Sequence, residues 1–234
     1  MYDQNIILDF EMNPVSREYM EARKKLHREI IEIGAVKVNM KGDLVDKFSC
    51  LIKPQYSDDI SRFIVELTGI NCKELYKACT FEKALDSFMR WIGDSTTRIY
   101  SWSDNDYIQL KSECQYKGIA FPYNMKHWMD FQLLYPRIMG IPLYKKLISL
   151  KDAAEWAGID FETEGAHRAL YDAKITTELI RTILTGEYHE QKAEIHRRLY
   201  GDDQEHYGNS IGVLCGSFFS SLINSQDTEM EFVR

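Results

Sequence analysis

The chain has no long apolar run, no paired cysteine motif and no glycine-rich phosphate loop, and each absence removes a class of function. No stretch approaches the roughly 20 apolar residues that a membrane-spanning helix needs, and the N-terminus lacks the basic segment, apolar core and cleavage site of a secretory leader. The five cysteines, Cys50, Cys72, Cys79, Cys114 and Cys215, are odd in number and contain no Cys-x-x-Cys pair. That argues against a disulfide framework and a structural zinc site, and a reducing, cytoplasmic setting without membrane attachment is expected. Walker-type phosphate loops, Gly-x-Gly-x-x-Gly, Gly-x-Ser-x-Gly and His-Glu-x-x-His are also missing, so the usual marks of P-loop, dinucleotide, serine-hydrolase and zinc-protease chemistry are gone. Internal repeats and low-complexity segments are not apparent.

What is present suits a domain with a substantial core: 234 residues, 44% hydrophobic and 12% aromatic. The net charge of -7 disfavours a protein that coats nucleic acid by charge alone. An enzyme that grips a few nucleotides through metal ions escapes that objection, because the ions supply the positive charge. Within this acidic chain, Ser16 to Arg28 collects Arg17, Arg23, Lys24, Lys25, His27 and Arg28 against Glu18 and Glu21. It reads either as a solvated helix face or mobile loop, or as a flap that contacts phosphates.

The pattern along the chain predicts an α/β domain with a mixed sheet. Asn5 to Met12, Ile30 to Val38 and Leu44 to Ile52 read as strands, the last two joined by the turn-forming Asn39-Met40-Lys41-Gly42-Asp43. Helical spacing then takes over, with Thr80 as a cap for Phe81 to Ile92 and Gly93 to end it. A strand over Arg98 to Trp102, a helix over about Asp104 to Lys117, and a fifth strand within Lys126 to Phe131 follow. Ser149-Leu150-Lys151-Asp152 resembles a capping box, and a final helix spans about His167 to Thr185, closed by Gly186. Strands in a meander followed by alternating strands and helices indicate one α/β domain over 1–186. Residues 187–234 form a C-terminal extension whose apolar stretch Ile211 to Ile223 is too short to cross a bilayer and suits packing on the domain or on a partner subunit, which leaves room for a homo-oligomer.

The first strand carries the chemistry. Side chains alternate along a strand, so Ile7, Asp9 and Glu11 share one face while Ile6, Leu8, Phe10 and Met12 share the other. Two adjacent carboxylates on a strand built for burial need a cation between them. Further acids arrive on inward faces. Asp172 lies in the buried stripe Ala169, Ala173, Thr176, Leu179, Ile180 and Ile183, and Asp106 precedes Leu110 and Cys114 on the side of its helix expected to face the sheet. Asp104 is better placed to cap that helix, so Asp106 is preferred as the functional acid. His167, five residues before Asp172, has a side chain that can take a proton from water near neutral pH. Carboxylates with one histidine suit hard, oxygen-seeking ions, magnesium or manganese rather than zinc. Two such ions can activate a water and stabilise the departing oxygen of a phosphodiester.

Taken in order, Leu8-Asp9-Phe10-Glu11, Trp102-Ser103-Asp104-Asn105-Asp106 and His167-Arg168-Ala169-Leu170-Tyr171-Asp172 resemble the motifs of the DEDDh class of 3′-to-5′ exonucleases. Glu29 to Val36 resembles that family's second strand, and Leu67-Thr68-Gly69-Ile70 a loop near its terminal-nucleotide pocket. The resemblance runs from about residue 5 to 185. It implies a ribonuclease-H-like fold, a mixed five-stranded sheet flanked by helices. It also implies that Asp9, Glu11, Asp106 and Asp172 bind two ions, that His167 is the general base, and that Met12 and Thr68 line the 3′-terminal nucleotide. The Trp-Ser-Asp-Asn-Asp form, with Cys114-Gln115-Tyr116, is most similar to the histone-mRNA-type RNA exonucleases. The activity implied is release of nucleoside 5′-monophosphates from 3′ ends of single-stranded RNA or short oligonucleotides. The alternatives are a 3′-to-5′ DNA exonuclease that trims or proofreads, and a non-catalytic RNA-binding protein. The segment Asn13 to Arg28 is unlike the short connection many relatives have.

Overall fold

The first apolar run forms β1, Gln4–Pro14, the middle strand of a five-stranded sheet; the computed structural model describes residues 2–141, 147–162 and 167–200. β2 (Arg28–Val38) and β3 (Leu44–Leu51) continue from it as an antiparallel meander. β4 (Thr97–Ser101) and the three-residue β5 (Trp128–Asp130) add to its other edge in parallel, so the order is β3-β2-β1-β4-β5. The mixed sheet expected from the alternation of elements is present, and no described helix is long and apolar enough to cross a membrane.

Alternation along the strands divides the core. Ile6, Leu8, Phe10, Ile33, Ala35 and Ile99 pack against α4 (Phe81–Ile92) and α5 (Asn105–Lys117). The opposite cluster joins Ile7, Val36 and Tyr100 to α6 (Phe131–Met139), α7 (Leu150–Trp156), α8 (Ala169–Thr185) and α9 (Tyr188–Tyr200). α9 lies beyond Gly186, yet its Ile195 is fully buried and its His196 ring bonds the Met139 carbonyl at 2.7 Å. The rest of the extension, including Gly201 to His206 and Ile211 to Ile223, lies outside the described residues.

Several local expectations change. Thr80 occupies the cap position of α4, but its side chain makes no capping hydrogen bond, and the same holds for Asp104 before α5. Of the box at Ser149, the Ser149 hydroxyl accepts the Asp152 N–H at 3.0 Å. α8 starts at Ala169, two residues after His167, because His167 has a left-handed backbone with φ 62°. The short helices Arg62–Thr68 (α2) and Cys72–Tyr76 (α3) were not evident from periodicity, and α6 was hidden by Pro136 within it. The basic segment forms a four-residue helix, Met20–Arg23 (α1), inside an otherwise irregular excursion.

Candidate active site

The site lies where the sheet changes direction. β1 pairs with β4 only from Gln4 opposite Thr97 to Ile7 opposite Tyr100, then runs on beside β2 alone. This leaves a crevice in the sheet beyond the carboxyl end of β4, the edge at which open α/β sheets usually bind ligands. Asp9 and Glu11 stand in it. The Phe10 N–H, past the last β4 partner, donates instead to Asp106 Oδ1 at 3.0 Å. α5 follows directly from β4, and this places its first-turn carboxylate at the crevice.

The third element arrives through a close backbone approach. Gly34 faces Asp9 across the β1–β2 ladder, and a Cβ on Gly34 would sit 2.0 Å from the Leu170 nitrogen and 2.1 Å from the Ala169 carbonyl carbon. Only glycine lets the start of α8 rest on β2. Glu32, the cross-strand partner of Glu11, accepts the Ala169 N–H at 3.1 Å and binds Arg168 through Nη2 at 2.7 Å and Nε at 3.0 Å. Fixed in this way, α8 carries Asp172 one turn inward. One ligand oxygen from each of Asp9, Glu11 and Asp172 lies within 4.8 Å of the others.

Charge in this crevice is poorly compensated. Burial, reinforced by Asp106, Glu11, Asp172 and Glu32, raises the Asp9 carboxyl well above the usual carboxylate range. Burial and the nearby Asp172, Glu32 and Asp106 push Glu11 up to about 9, although Arg168 opposes the rise. Asp106 and Asp172 are each raised to about 7, chiefly by burial, with hydrogen bonds from the Phe10 and His167 backbones respectively acting the other way. Asp172 Oδ1 is buried without a hydrogen-bond partner among the described residues. An all-oxygen donor set with an orphaned carboxylate atom fits a hard divalent cation. Burial lowers the His167 pKa, which favours the neutral imidazole.

The expected residues therefore meet unequally. Asp9, Glu11 and Asp172 converge. Asp106 is 4% exposed and close enough to raise Asp9, but its Oδ1 is engaged by the Phe10 amide. His167 stands at the entrance to α8. Met12 follows a β-bulge after Glu11 and is half-buried beside the Phe10 cluster. The Thr68 hydroxyl donates to the Ile64 carbonyl at 2.8 Å and accepts from the Ile70 N–H at 3.1 Å, closing the end of α2. Glu32, Gly34 and Arg168 had no assigned role. For Glu32 a signal was available, since a glutamate within an apolar strand poses the same burial problem as Asp9 and Glu11. A separate cavity of about 490 Å³, lined by Lys53, Tyr76, Phe81 and Lys117 among others, contains none of the site acids.

Comparison with known proteins places the family and the fold. The DNA polymerase III subunit epsilon of Aquifex aeolicus is 34% identical over 156 residues, 67% of this chain and 72% of that protein. The human ERI1 exoribonuclease 2 is 26% identical over 199 residues, 75% of this chain but only 28% of that protein's length. In fold, the chain is similar to the nuclease domain of 3′hExo, a DEDDh family member solved with rAMP, with a TM-score of 0.68, 24% identity and coverage of 79% of this chain and 93% of that one. The family described as Exonuclease (RNase_T) matches residues 6–180, a span that begins in β1 before Asp9 and ends in α8 after Asp172. With the acids of β1, α5 and α8 all inside that span, the chain belongs to the Exonuclease family.

Proposed function

We propose that the protein is a metal-dependent 3′-to-5′ exonuclease that shortens single-stranded RNA or short oligonucleotides and releases nucleoside 5′-monophosphates. The observation that carries this reading is the meeting of Asp9, Glu11 and Asp172 in an undercompensated crevice, with Asp106 and His167 at its border. In this reading the four acids hold two ions, magnesium or manganese. Such ions, when bound, would stabilise charge on the scissile phosphate and acidify the attacking water. The chain's own groups do the rest. His167, its pKa lowered by partial burial, takes the water's proton at an imidazole nitrogen. Glu32 and Arg168 hold the start of α8 so that Asp172 faces the strand acids, with His167 five residues before it. Met12 offers an apolar wall to the terminal nucleotide, and Thr68 contributes through its position, since its hydroxyl is already committed.

The likeness to an exoribonuclease and to a domain solved with rAMP supports RNA as substrate; the likeness to a polymerase subunit supports DNA as the second reading. Incubating 5′-labelled RNA and DNA of one sequence with magnesium decides between them. A ladder of shortened RNA that disappears with chelator is expected, and the absence of a ladder on either polymer would overturn the exonuclease reading. His167→Ala should lower turnover by about 10²-fold or more, the scale of general base catalysis, with cation affinity retained by calorimetry. Collapse of that affinity would reassign His167.

A further inference from the structure

The excursion between β1 and β2 has an inward and an outward side. It leaves the sheet at Pro14, three residues after Glu11, and returns at Arg28, the cross-strand partner of Pro14. The Val15 N–H donates to the His27 carbonyl and the Ser16 N–H to the Tyr56 carbonyl, both at 3.0 Å. Val15, Ala22 and Leu26 are buried, and Tyr19, Tyr56 and Tyr116 meet edge to face with ring centres 5.9 and 5.4 Å apart. The Tyr19 hydroxyl donates to Asp58 at 3.0 Å. The loop is thus held down by packing, and its charge is turned outward. Arg17, Arg23, Lys24, Lys25, His27 and Arg28 are all exposed. Among the described residues only Lys24 of this group is in an ion pair, with Glu21.

This placement answers a physical difficulty in the exonuclease reading, on which the inference rests. A chain of net charge -7 repels a polyanion, and cations in the crevice would compensate only the terminal phosphodiester. The nucleotides behind it need positive charge from the protein, and the basic loop springs from β1 at Pro14, three residues past Glu11, and returns to the sheet at Arg28. Arg28 is tied to α5, its carbonyl accepting from the Gln109 side chain at 2.8 Å, three residues after Asp106. We propose that residues 16–28 form a phosphate clamp in which Arg17, Arg23, Lys25 and Arg28 touch the backbone of a single-stranded polynucleotide on the 5′ side of the scissile bond. Phosphate recognition of this kind positions a strand without reading its sequence.

The test uses the full chain with magnesium, a triple variant Arg17→Glu/Arg23→Glu/Lys25→Glu, and a charge-matched control, Lys41→Glu/Lys47→Glu/Lys83→Glu, whose residues are exposed and lie outside the clamp. The measurement is kcat/KM on a 5′-labelled dinucleotide and on an oligoribonucleotide of about 16 residues across a salt series; each phosphate that the protein no longer neutralises should flatten the log–log salt slope by about 0.7. The clamp variant should lose about tenfold or more on the long substrate, much less on the dinucleotide, with a slope shallower by about 2, while the control keeps its length dependence. Equal loss on both substrates, or an unaltered salt slope, overturns the clamp. If wild type cleaves neither substrate, the exonuclease reading fails first and the clamp with it. Should the triple variant not fold by circular dichroism, Arg17→Gln/Arg23→Gln/Lys25→Gln carries the same comparison.

Discussion

Two clusters of buried carboxylates flank the β1–β2 ladder, and they solve the burial of charge in opposite ways. At one, Glu29 accepts the Gln55 and Tyr56 N–H groups at 2.8 Å each, and Glu113 accepts the Ile30 N–H at 2.8 Å. Lys117 joins the two, 3.2 Å from Glu29 and 2.8 Å from Glu113, and all three side chains are almost wholly enclosed. At the other, Asp9, Glu11, Asp106 and Asp172 share a crevice in which the cation beside Glu11, Arg168, is committed to Glu32, and Arg28 acts on Asp106 alone of the four. Asp172 Oδ1 has no hydrogen-bond partner among the described residues. A buried acid is therefore no mark of a site by itself. The mark is a buried acid that the protein has left uncompensated, and the first cluster supplies the internal standard against which the second stands out.

The comparison breaks most visibly by removing one charge from the uncompensated cluster. Asp9→Asn should abolish hydrolysis, with turnover down by roughly 10⁴-fold or more, since positioning a divalent ion is asked to supply several kcal/mol of the barrier reduction. The same substitution should raise the melting temperature of the chelator-treated protein at pH 8, because it deletes one member of a repelling group. Activity and metal-free stability moving in opposite directions is the expected signature. A lower melting temperature together with retained activity would mean that Asp9 is a structural acid like Glu29.

Removing the cation from the compensated cluster should do the reverse. Lys117→Met leaves Glu29 and Glu113 buried beside one another and should cost on the order of 3–5 kcal/mol in denaturant unfolding, because breaking a buried pair strands its partners. Cation affinity at the crevice should be little changed. If stability survives intact, the network is not the self-sufficient one that its geometry describes.

How much of this contrast was legible in the amino-acid order depends on the length scale of each feature. Asp9 and Glu11 stood out because strand alternation is local, and Asp172 because it interrupts a helical stripe of small and apolar residues. The five strands followed from runs of four or more residues, with only β5 reduced to three. Gly34 was not legible as a docking point, since its requirement comes from the backbone of Ala169 and Leu170, more than 130 residues away. Glu32 was visible as an acid in an apolar strand, but its commitment to Arg168 and the Ala169 amide is a tertiary fact. The same holds for the caps. Thr80 and Asp104 have suitable side chains in suitable places, yet neither makes a capping bond, because a cap depends on a rotamer and not on residue type alone. The left-handed backbone at His167 has no sequence signature beyond the motif that contains it.

The mildest probe, pH, sharpens the comparison without mutation. Glu11 is raised to about 9 and Asp106 and Asp172 to about 7, whereas the unfolded chain releases these protons near the ordinary carboxylate value. Between those limits the folded state holds protons that the unfolded state has lost, so stability in chelator should fall as pH rises from about 5 to about 9. Divalent cation binding needs the same carboxylates deprotonated, so the increase in melting temperature produced by magnesium should grow over the same interval. Glu113 is also raised by burial and adds to the metal-free slope, but Lys117 and the Ile30 and Gln109 N–H groups already serve it, and magnesium should not reverse that part. Asp172→Asn separates the contributions. It should shrink both the metal-free slope and the magnesium increment by a few degrees across the series, while the part due to Glu113 stays unchanged. A metal-free stability that is flat or rising with pH, or a magnesium increment independent of pH, would show that the crevice acids are satisfied within the protein and that the two clusters are alike.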